Sequence, residues 1–458
     1  MSDGEGEQML LSFRVANHRS LREEQQLLLV PADREDADED GAPEPLPVAG
    51  LFGPNASGKS NVLDALGYMR RLVRSSMEMG EPGSGIARDP FALSPQSREE
   101  PSHYAVDLLI ERVHHTYGFT IDDEGVAEEW LYWSPDGGDP TALFEREGDR
   151  FTFHPSLPET VRQVQEITDV NTLFLTVAAR TRLEIARPVY SWFASHCRHW
   201  RSRGGRDQDR RDLLRRIAEP GVLARLQELI RAADTGIESV ELEFEQLTLD
   251  FDPGGPVRDP WDSNVPTLRP STAARRKKRK VVGDEATLLF HHRTGGEEAQ
   301  PLTIDQQSDG TWVLLALGVE VLDVLKDGSL LVVDELDSHL HPHLSAKIID
   351  LFKDPRVNER GAQLVFSSHD TALLGWIRGG EVLDRDEAWF VEKDKEGATR
   401  LYSLSDFQDE GENPALAYLT GRYGAVPEVT GGPVAAPVHP PEEQDGPEKD
   451  GPGQGTPE

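Results

Sequence analysis

The sequence predicts an α/β fold with a mixed and parallel sheet and an inserted, mainly helical lobe. Three observations predict it. In the C-terminal half, helical spacings alternate with short apolar β-runs, the pattern of a parallel α/β sheet. Between Tyr104 and Phe153 apolar residues alternate, and turn signals (Asp122-Asp123-Glu124-Gly125, Pro135-Asp136-Gly137-Gly138) recur, as in a β meander. From about Pro158 to Ala233 the period turns helical, with Leu213, Leu214, Ile217, Leu223, Leu226, Leu229 and Ile230 on one stripe.

Taken in order, Leu10 to Ala16 alternates as a strand, Asn17-His18-Arg19-Ser20 turns, and Gln26 to Val30 reads as a second strand. Val48 to Phe52 is a short apolar run that meets a glycine, the mark of a buried strand. Beyond Gly58, the residues Val62, Leu63, Leu66 and Met69 have helical spacing. Residues 80–101 are Pro/Gly/Ser-rich and read as loop, and residues 252–274 as a linker or long loop. A strand over Ala286 to His291 precedes a helix from about Gly310 to Leu325 and the run Leu330-Leu331-Val332-Val333. A helix from His343 to Phe352, a strand from Gln363 to Ser367, a helix near Ala372 and a strand from Ala388 to Val391 follow. The expected organisation is an N-terminal lobe over 1–153, an inserted helical lobe over 154–235, and a C-terminal lobe over 236–427 with a loop at 252–285. Residues 428–458 read as a disordered acidic tail.

The chain has 458 residues, a net charge of −34 and one cysteine. The stretch from Trp312 to Leu325 is interrupted by Glu320 and Asp323 and too short to span a bilayer. The N-terminus lacks the basic region and apolar core of a signal peptide. Cys197 has no partner for an internal disulfide or a cysteine zinc cluster. A soluble cytoplasmic protein with no membrane partner is expected. Charge is segregated: Asp33 to Glu44 holds seven acids against one arginine, whereas Arg180 to Arg216 holds eleven arginines against four acids. Arg275 to Lys280 is wholly basic. The basic runs would attract a polyanion, or else coat a solvated helix and a loop tip.

Gly53-Pro54-Asn55-Ala56-Ser57-Gly58-Lys59-Ser60 matches a phosphate loop, preceded by a strand and followed by a helix. Its glycines let backbone N–H groups face phosphates, Lys59 supplies a point charge, and the Ser60 hydroxyl is a Mg2+ ligand. Leu330-Leu331-Val332-Val333-Asp334-Glu335 is an apolar strand ending in two acids. Asp334 would hold the metal, and Glu335 would orient and deprotonate an attacking water. Asp337, His339 and His341 crowd behind it; a zinc site there lacks clear partners. Gln363 to His369 is a further strand ending in a histidine placed to sense a γ-phosphate. Asp334 lies 274 residues after Ser60, so a large insertion must separate two lobes of one nucleotide-binding fold. Ser308-Asp309-Gly310-Thr311 opens a helix 26 residues before Asp334 and would clamp the γ-phosphate of a second molecule's nucleotide.

This order of motifs resembles the ABC-type head ATPases of the SMC/RecF/OLD group. More closely it is similar to the "AAA family ATPase" or "ATP/GTP phosphatase" proteins of bacterial phage-defence operons. The matching stretches are Phe13 to Ser20, Gly53 to Asn61, Ala233 to Ile237, Asp334 to Pro342 and Gly421 to Pro427. The resemblance implies an ABC-type P-loop ATPase head that uses ATP and Mg2+. It further implies Arg19 near the adenine or ribose, Ser308, Gly310 and Thr311 as the signature turn acting across a head-to-head dimer, Asp337 as the acid at that interface and His369 as the switch histidine. Gln96 is the candidate for the glutamine that links metal to the insertion. The expected function is an ATP-driven switch in anti-phage defence that controls a separately encoded effector, such as a Toprim-like nuclease. A RecF-like repair ATPase with DNA across the heads is one alternative. An OLD-like nuclease using Asp384-Arg385-Asp386-Glu387 is the other, and those acids otherwise read as a turn before a strand.

Overall fold

In the computed structural model, residues 7–32, 45–81, 83–135, 138–181, 183–200, 207–232, 236–248, 282–293, 300–377, 379–408 and 411–426 are described. The acidic run at 33–44, the basic run at 275–280, residues 233–235 and the tail from 427 onward lie outside them. The N-terminal part runs β1 (Gln8–Ala16), β2 (Gln25–Leu28), β3 (Val48–Phe52), α1 (Lys59–Ser75), α2 (Pro95–Glu99), β4 (Ser102–Ile110), β5 (Val113–Ile121), β6 (Val126–Ser134), β7 (Thr141–Glu147) and β8 (Arg150–Phe153). The middle adds α3 (Thr160–Glu166), α4 (Phe174–Arg180), α5 (Arg187–Ser191), β9 (Cys197–Trp200), α6 (Asp207–Ile217), α7 (Val222–Ala232), β10 (Ile237–Thr248) and β11 (Val282–His292). The C-terminal part runs β12 (Leu302–Thr303), α8 (Asp309–Asp327), β13 (Leu330–Val333), α9 (Pro342–Lys353), β14 (Gln363–Ser367), β15 (Trp376–Ile377), β16 (Gly380–Glu381), β17 (Ala388–Lys393), β18 (Thr399–Ser403) and α10 (Pro414–Leu419).

Two large sheets face each other. One has the order β18-β17-β3-β14-β13-β9 and is parallel except for the β17–β18 pair. The other, β2-β1-β4-β5-β6-β7-β8, is antiparallel throughout and contains the expected meander. The parallel sheet is covered on both faces, and the period of two divides its side chains between two cores. Ala49, Leu51, Leu330, Val332, Val365 and Val391 face α1 and the antiparallel sheet. Val48, Phe52, Leu331, Val333, Leu364 and Phe366 face the opposite way, into the core with residues of α8 and α9. That double burial is why these strands read as unbroken apolar runs. Buried Gln363 ties the layers together by accepting from Leu10 N (2.6 Å) and donating to the carbonyls of Leu10 and Leu46 (2.9 Å each).

Among its described residues, the segment 154–235 is mainly helical and contributes to both cores. Leu173 to Ala178, Trp192 and Phe193 enter the first, and Leu213, Leu214, Ile217 and Leu226 the second. Buried Glu129 fixes its position. Its carboxylate accepts the N–H groups of Phe174 (2.6 Å) and Leu175 (2.9 Å) at the start of α4 and the Tyr117 hydroxyl (3.0 Å). Arg146, itself buried, lies 3.8 Å away.

The fold departs from the sequence reading in several places. Cys197–Trp200, within a stretch of helical periodicity, is a strand beside Leu330–Val333. The loop at 80–101 contains α2, started by Ser94, whose hydroxyl accepts Ser97 N. The helix near Ala372 is a single 3-10 turn over Thr371–Leu374. Thr399–Ser403 is a strand that the reading did not assign, and so is Ile237–Thr248, although Val240-Glu241-Leu242-Glu243-Phe244-Glu245 alternates strictly. The short strands Cys197–Trp200 and Thr399–Ser403 take their conformation from the neighbour they pair with, which periodicity cannot report.

Candidate active site

The phosphate loop joins β3 to α1, and two glycines are required by contact. A Cβ on Gly53 would stand 2.1 Å from the Val391 carbonyl, and one on Gly58 would stand 2.1 Å from the Thr399 hydroxyl. Both residues also carry positive φ, 152° and 114°. A directed chain of hydrogen bonds braces the loop. Asn61 donates to the Ser20 hydroxyl (2.6 Å), Ser20 to the Thr399 hydroxyl (2.7 Å), and Thr399 to the Ser57 carbonyl (2.8 Å). The Thr399 N–H returns to Ser20 O at 2.7 Å. Thr399 went unnoticed in the sequence because nothing around it resembles a nucleotide motif.

Lys59 is buried, 5% exposed. Its ammonium donates to the carbonyls of Gly53 (2.7 Å) and Pro54 (3.1 Å) and lies 3.3 Å from His369 Nδ1. Burial lowers its pKa to about 8, against the opposing pull of Asp337, Asp334 and Glu335. The cation is thus held by neutral carbonyls in a partly dry place, an arrangement that an incoming polyanion would relieve. The Ser57 hydroxyl is buried there and, among the described residues, has no hydrogen-bond partner.

The second half of the site comes from the adjacent strands β13 and β14. The Ser60 hydroxyl donates to Asp334 Oδ1 (3.0 Å), and the Ser367 hydroxyl donates to the same oxygen (2.7 Å). Ser367 Oγ also accepts Glu335 N (2.8 Å), and Ser367 O accepts Leu336 N (2.9 Å). Glu335 takes a left-handed φ of 59° and is exposed, the kind of strained geometry that persists where neighbours over-determine it. Asp337 accepts the His369 N–H at 3.2 and 3.3 Å. Lys59, Ser60, Asp334, Asp337 and His369 therefore form one connected constellation, with Glu335 at its edge. Ser367 is the residue the sequence reading passed over, although it sits in the Ser367-Ser368-His369 strand end. The oxygens of Ser60 and Asp334 fit Mg2+: adjacent ligands in an octahedral shell, with Mg–O ~2.1 Å, stand ~3 Å apart.

Ser308 caps α8, its hydroxyl accepting Thr311 N (3.2 Å) and meeting the Thr311 hydroxyl at 3.0 Å. Ser308 and Asp309 are exposed, and a Cβ on Gly310 would stand 2.8 Å from the His339 carbonyl. The turn therefore packs on the loop behind Asp337. Among the described residues, no hydrogen bond joins it to residues 53–60. Arg19 takes a φ of 50° and reaches Asp64 (3.0 Å) on α1 and Asp89 (3.5 Å). Gln96, in α2, donates to Glu100 just beyond it (2.8 Å), and no hydrogen bond among the described residues ties it to Ser60 or Asp334. His341 caps α9 by accepting His343 N (3.2 Å). Among the described residues, no cluster of three His, Cys, Asp or Glu is placed to hold a metal. Asp384 and Glu387 bind Lys353 at 2.9 and 2.6 Å and form a capping box, the structural turn that was the alternative to a nuclease centre.

Residues 48–375 match the family described as "AAA domain, putative AbiEii toxin, Type IV TA system". Three solved structures are similar. The SMC head domain from Thermotoga maritima is 13% identical, with 86% of this chain and 98% of that chain covered and a TM-score of 0.38. An SMC head bound to the C-winged helix domain of ScpA is 12% identical, with 86% and 97% covered and a TM-score of 0.39. The SMC head domain with an extended coiled coil bound to the C-terminal domain of ScpA, derived from Pyrococcus furiosus, is 13% identical, with 91% and 100% covered and a TM-score of 0.38. No curated protein matches the chain. Among the described residues, no helix is long and apolar enough to cross a membrane.

Proposed function

The chain belongs to the family of AAA domains described as putative AbiEii toxin, Type IV TA system; from that premise we propose that it is an ABC-type ATPase of the SMC-like group, an ATP-hydrolysing molecular switch acting in anti-phage, abortive-infection defence. One observation carries the hydrolytic reading. Folding brings Ser60, which ends the phosphate loop, to 3.0 Å from Asp334, 274 residues later. Lys59 stands between the loop carbonyls and His369.

In this reading the backbone N–H groups of residues 55–60 and the start of α1 face the phosphates of ATP. Lys59 leaves its carbonyls for the β- and γ-phosphates. Ser60 and Asp334 would hold Mg2+, with Gln96 as the remaining candidate ligand; the ion supplies charge neutralisation on the phosphates. Ser367 fixes both Asp334 and the backbone of Glu335, so that Glu335 can orient the attacking water and take its proton. His369, held by Asp337, lies next to Lys59 and so close to the γ-phosphate. Arg19 would approach the adenine or ribose. Ser308, Gly310, Thr311 and Asp337 would complete the site of a second head, and closure of two heads would control a separately encoded effector. The family description supports the defence role; the exposed Ser308 at the head of α8 supports the dimer.

The RecF-like alternative draws on the arginines between 180 and 216. Several of these are already neutralised: Arg180 by Glu78 (2.8 Å), Arg198 by Asp327, Arg210 by Asp305 (2.9 Å) and Arg216 by Glu320 and Asp323. Defence is therefore the preferred role. The test is ATP hydrolysis by wild type and Glu335→Gln, with and without double-stranded DNA. Loss of roughly 100-fold or more in the variant is expected for removal of a general base. Equal rates in the two proteins would overturn the assignment of Glu335. Stimulation by DNA would return the RecF-like reading to first place.

A further inference from the structure

A cleft of about 1020 Å3 opens between α1, β9, α6 and α8, and none of residues 53–60 lines it. Its lining divides chemically. On one wall α1 presents Arg70, Arg71 and Arg74. Arg70 and Arg74 are one helical turn apart and share a face. Among the described residues, no carboxylate pairs with any of the three. Arg70 spends its Nε on the Phe193 carbonyl (3.1 Å), and Arg71 lies over the Tyr68 ring at 5.3 Å. The other arginines of the lining are compensated, Arg180 by Glu78 and Arg216 by Glu320 and Asp323. The lining acids Asp64 and Asp212 pair with Arg19 (3.0 Å) and Arg215 (3.3 Å), so the uncompensated charge of the cleft belongs to the arginines of α1. Elsewhere in the lining are two half-buried indoles, Trp200 at the end of β9 and Trp312 in the first turn of α8.

Guanidinium groups without counter-ions suit phosphate. Flat rings beside them suit a base, by stacking. An acidic peptide would satisfy the arginines and leave the indoles unused; an apolar ligand would leave three cations unpaired. We propose that this cleft binds a second nucleotide ligand, distinct from the ATP of the phosphate loop, with phosphate on Arg70, Arg71 and Arg74 and a base against Trp200 or Trp312. The volume suits a mono- or dinucleotide. The ligand is either a free nucleotide or the end of a nucleic-acid strand, which offer the same chemistry.

The position of the cleft gives binding a consequence. The first turn of α1 carries Lys59 and Ser60, and the cap of α8 is Ser308. A ligand that touches both helices restrains the phosphate loop relative to the signature turn. Any effect of the ligand on ATP affinity must be matched by an equal effect of ATP on the ligand. This coupling rests on the proposed ATPase reading; the binding itself does not.

Binding is tested by calorimetry and tryptophan fluorescence on the full-length Lys59→Ala protein, in which the phosphate loop is disabled. The probes are the dinucleotide pApA and the oligonucleotide (dT)12. Binding of either probe, weakened roughly tenfold or more by Arg71→Gln/Arg74→Gln, is the expected result. Both arginines are exposed, so an unchanged melting temperature confirms that the double variant is folded. A probe-induced quench that shrinks in Trp312→Phe places the base on that ring. Binding of pApA assigns a free nucleotide; binding of (dT)12 alone assigns a strand. Absence of binding by both probes at about 1 mM, or binding indifferent to the arginine substitutions, overturns the proposal. Because the phosphate loop is disabled throughout, that failure is separate from any failure of the Glu335 assignment.

Discussion

Lys59 is held in the phosphate loop by two carbonyls, with its charged form disfavoured by burial and its pKa lowered to about 8. An ordinary lysine keeps its proton to ~10.4. The sign of the consequence follows directly. Below about pH 8 the ammonium is present and ready for phosphate; above it the free protein carries a neutral amine. Phosphate favours the charged form, so ATP binding at pH 9 should take up a proton, and affinity should fall as pH rises past about 8. Calorimetry in two buffers of different ionisation enthalpy measures the uptake, which Lys59→Ala should abolish. Ser367 is the second test at this scale. Its hydroxyl bonds both Asp334 and the backbone of Glu335, so Ser367→Ala should lower kcat by ~10- to 100-fold, as for other groups that orient ligands. An unaltered kcat would mean that the acids are positioned without it.

Elements became legible where local chemistry or burial on both faces wrote a pattern into the sequence. The phosphate loop, the apolar run before Asp334 and the meander all did so. The strands Cys197–Trp200 and Thr399–Ser403 did not, because their conformation is set by Leu330–Val333 and by Ala388–Lys393. The same limit hid Thr399, whose contact with the phosphate loop spans 342 residues. Thr399→Val keeps the shape and removes the hydroxyl that joins Ser20 to the loop. It should weaken ATP binding by roughly tenfold, the worth of a buried hydrogen bond. Glu129 supports an element rather than the site. Glu129→Ala strips partners from the start of α4, from Tyr117 and from buried Arg146, and should cost ~3–5 kcal/mol of stability. Thermal melting measures it; at temperatures where the variant is folded, its Km for ATP should match the wild type.

At the scale of the whole molecule, electrostatics and the signature turn pull in opposite directions. Each chain carries a net charge of −34, so two heads approaching one another repel through the solvent. The proposed closure must overcome that repulsion through ATP shared between the phosphate loop of one head and Ser308, Gly310 and Thr311 of the other. Slowing hydrolysis should let the closed state accumulate. Glu335→Gln with saturating ATP and Mg2+ should therefore double in mass from 50.9 kDa by light scattering, while Lys59→Ala stays monomeric. Salt separates this dimer from one held by surface ion pairs. Raising the ionic strength from ~50 to ~300 mM shortens the screening length and weakens the long-range repulsion. The ATP-bound dimer of Glu335→Gln should then form at lower protein concentration, whereas a dimer held by exposed ion pairs would dissociate. If the variant remains monomeric at saturating ATP under both conditions, Ser308 does not act in trans, and the switch must work within a single head.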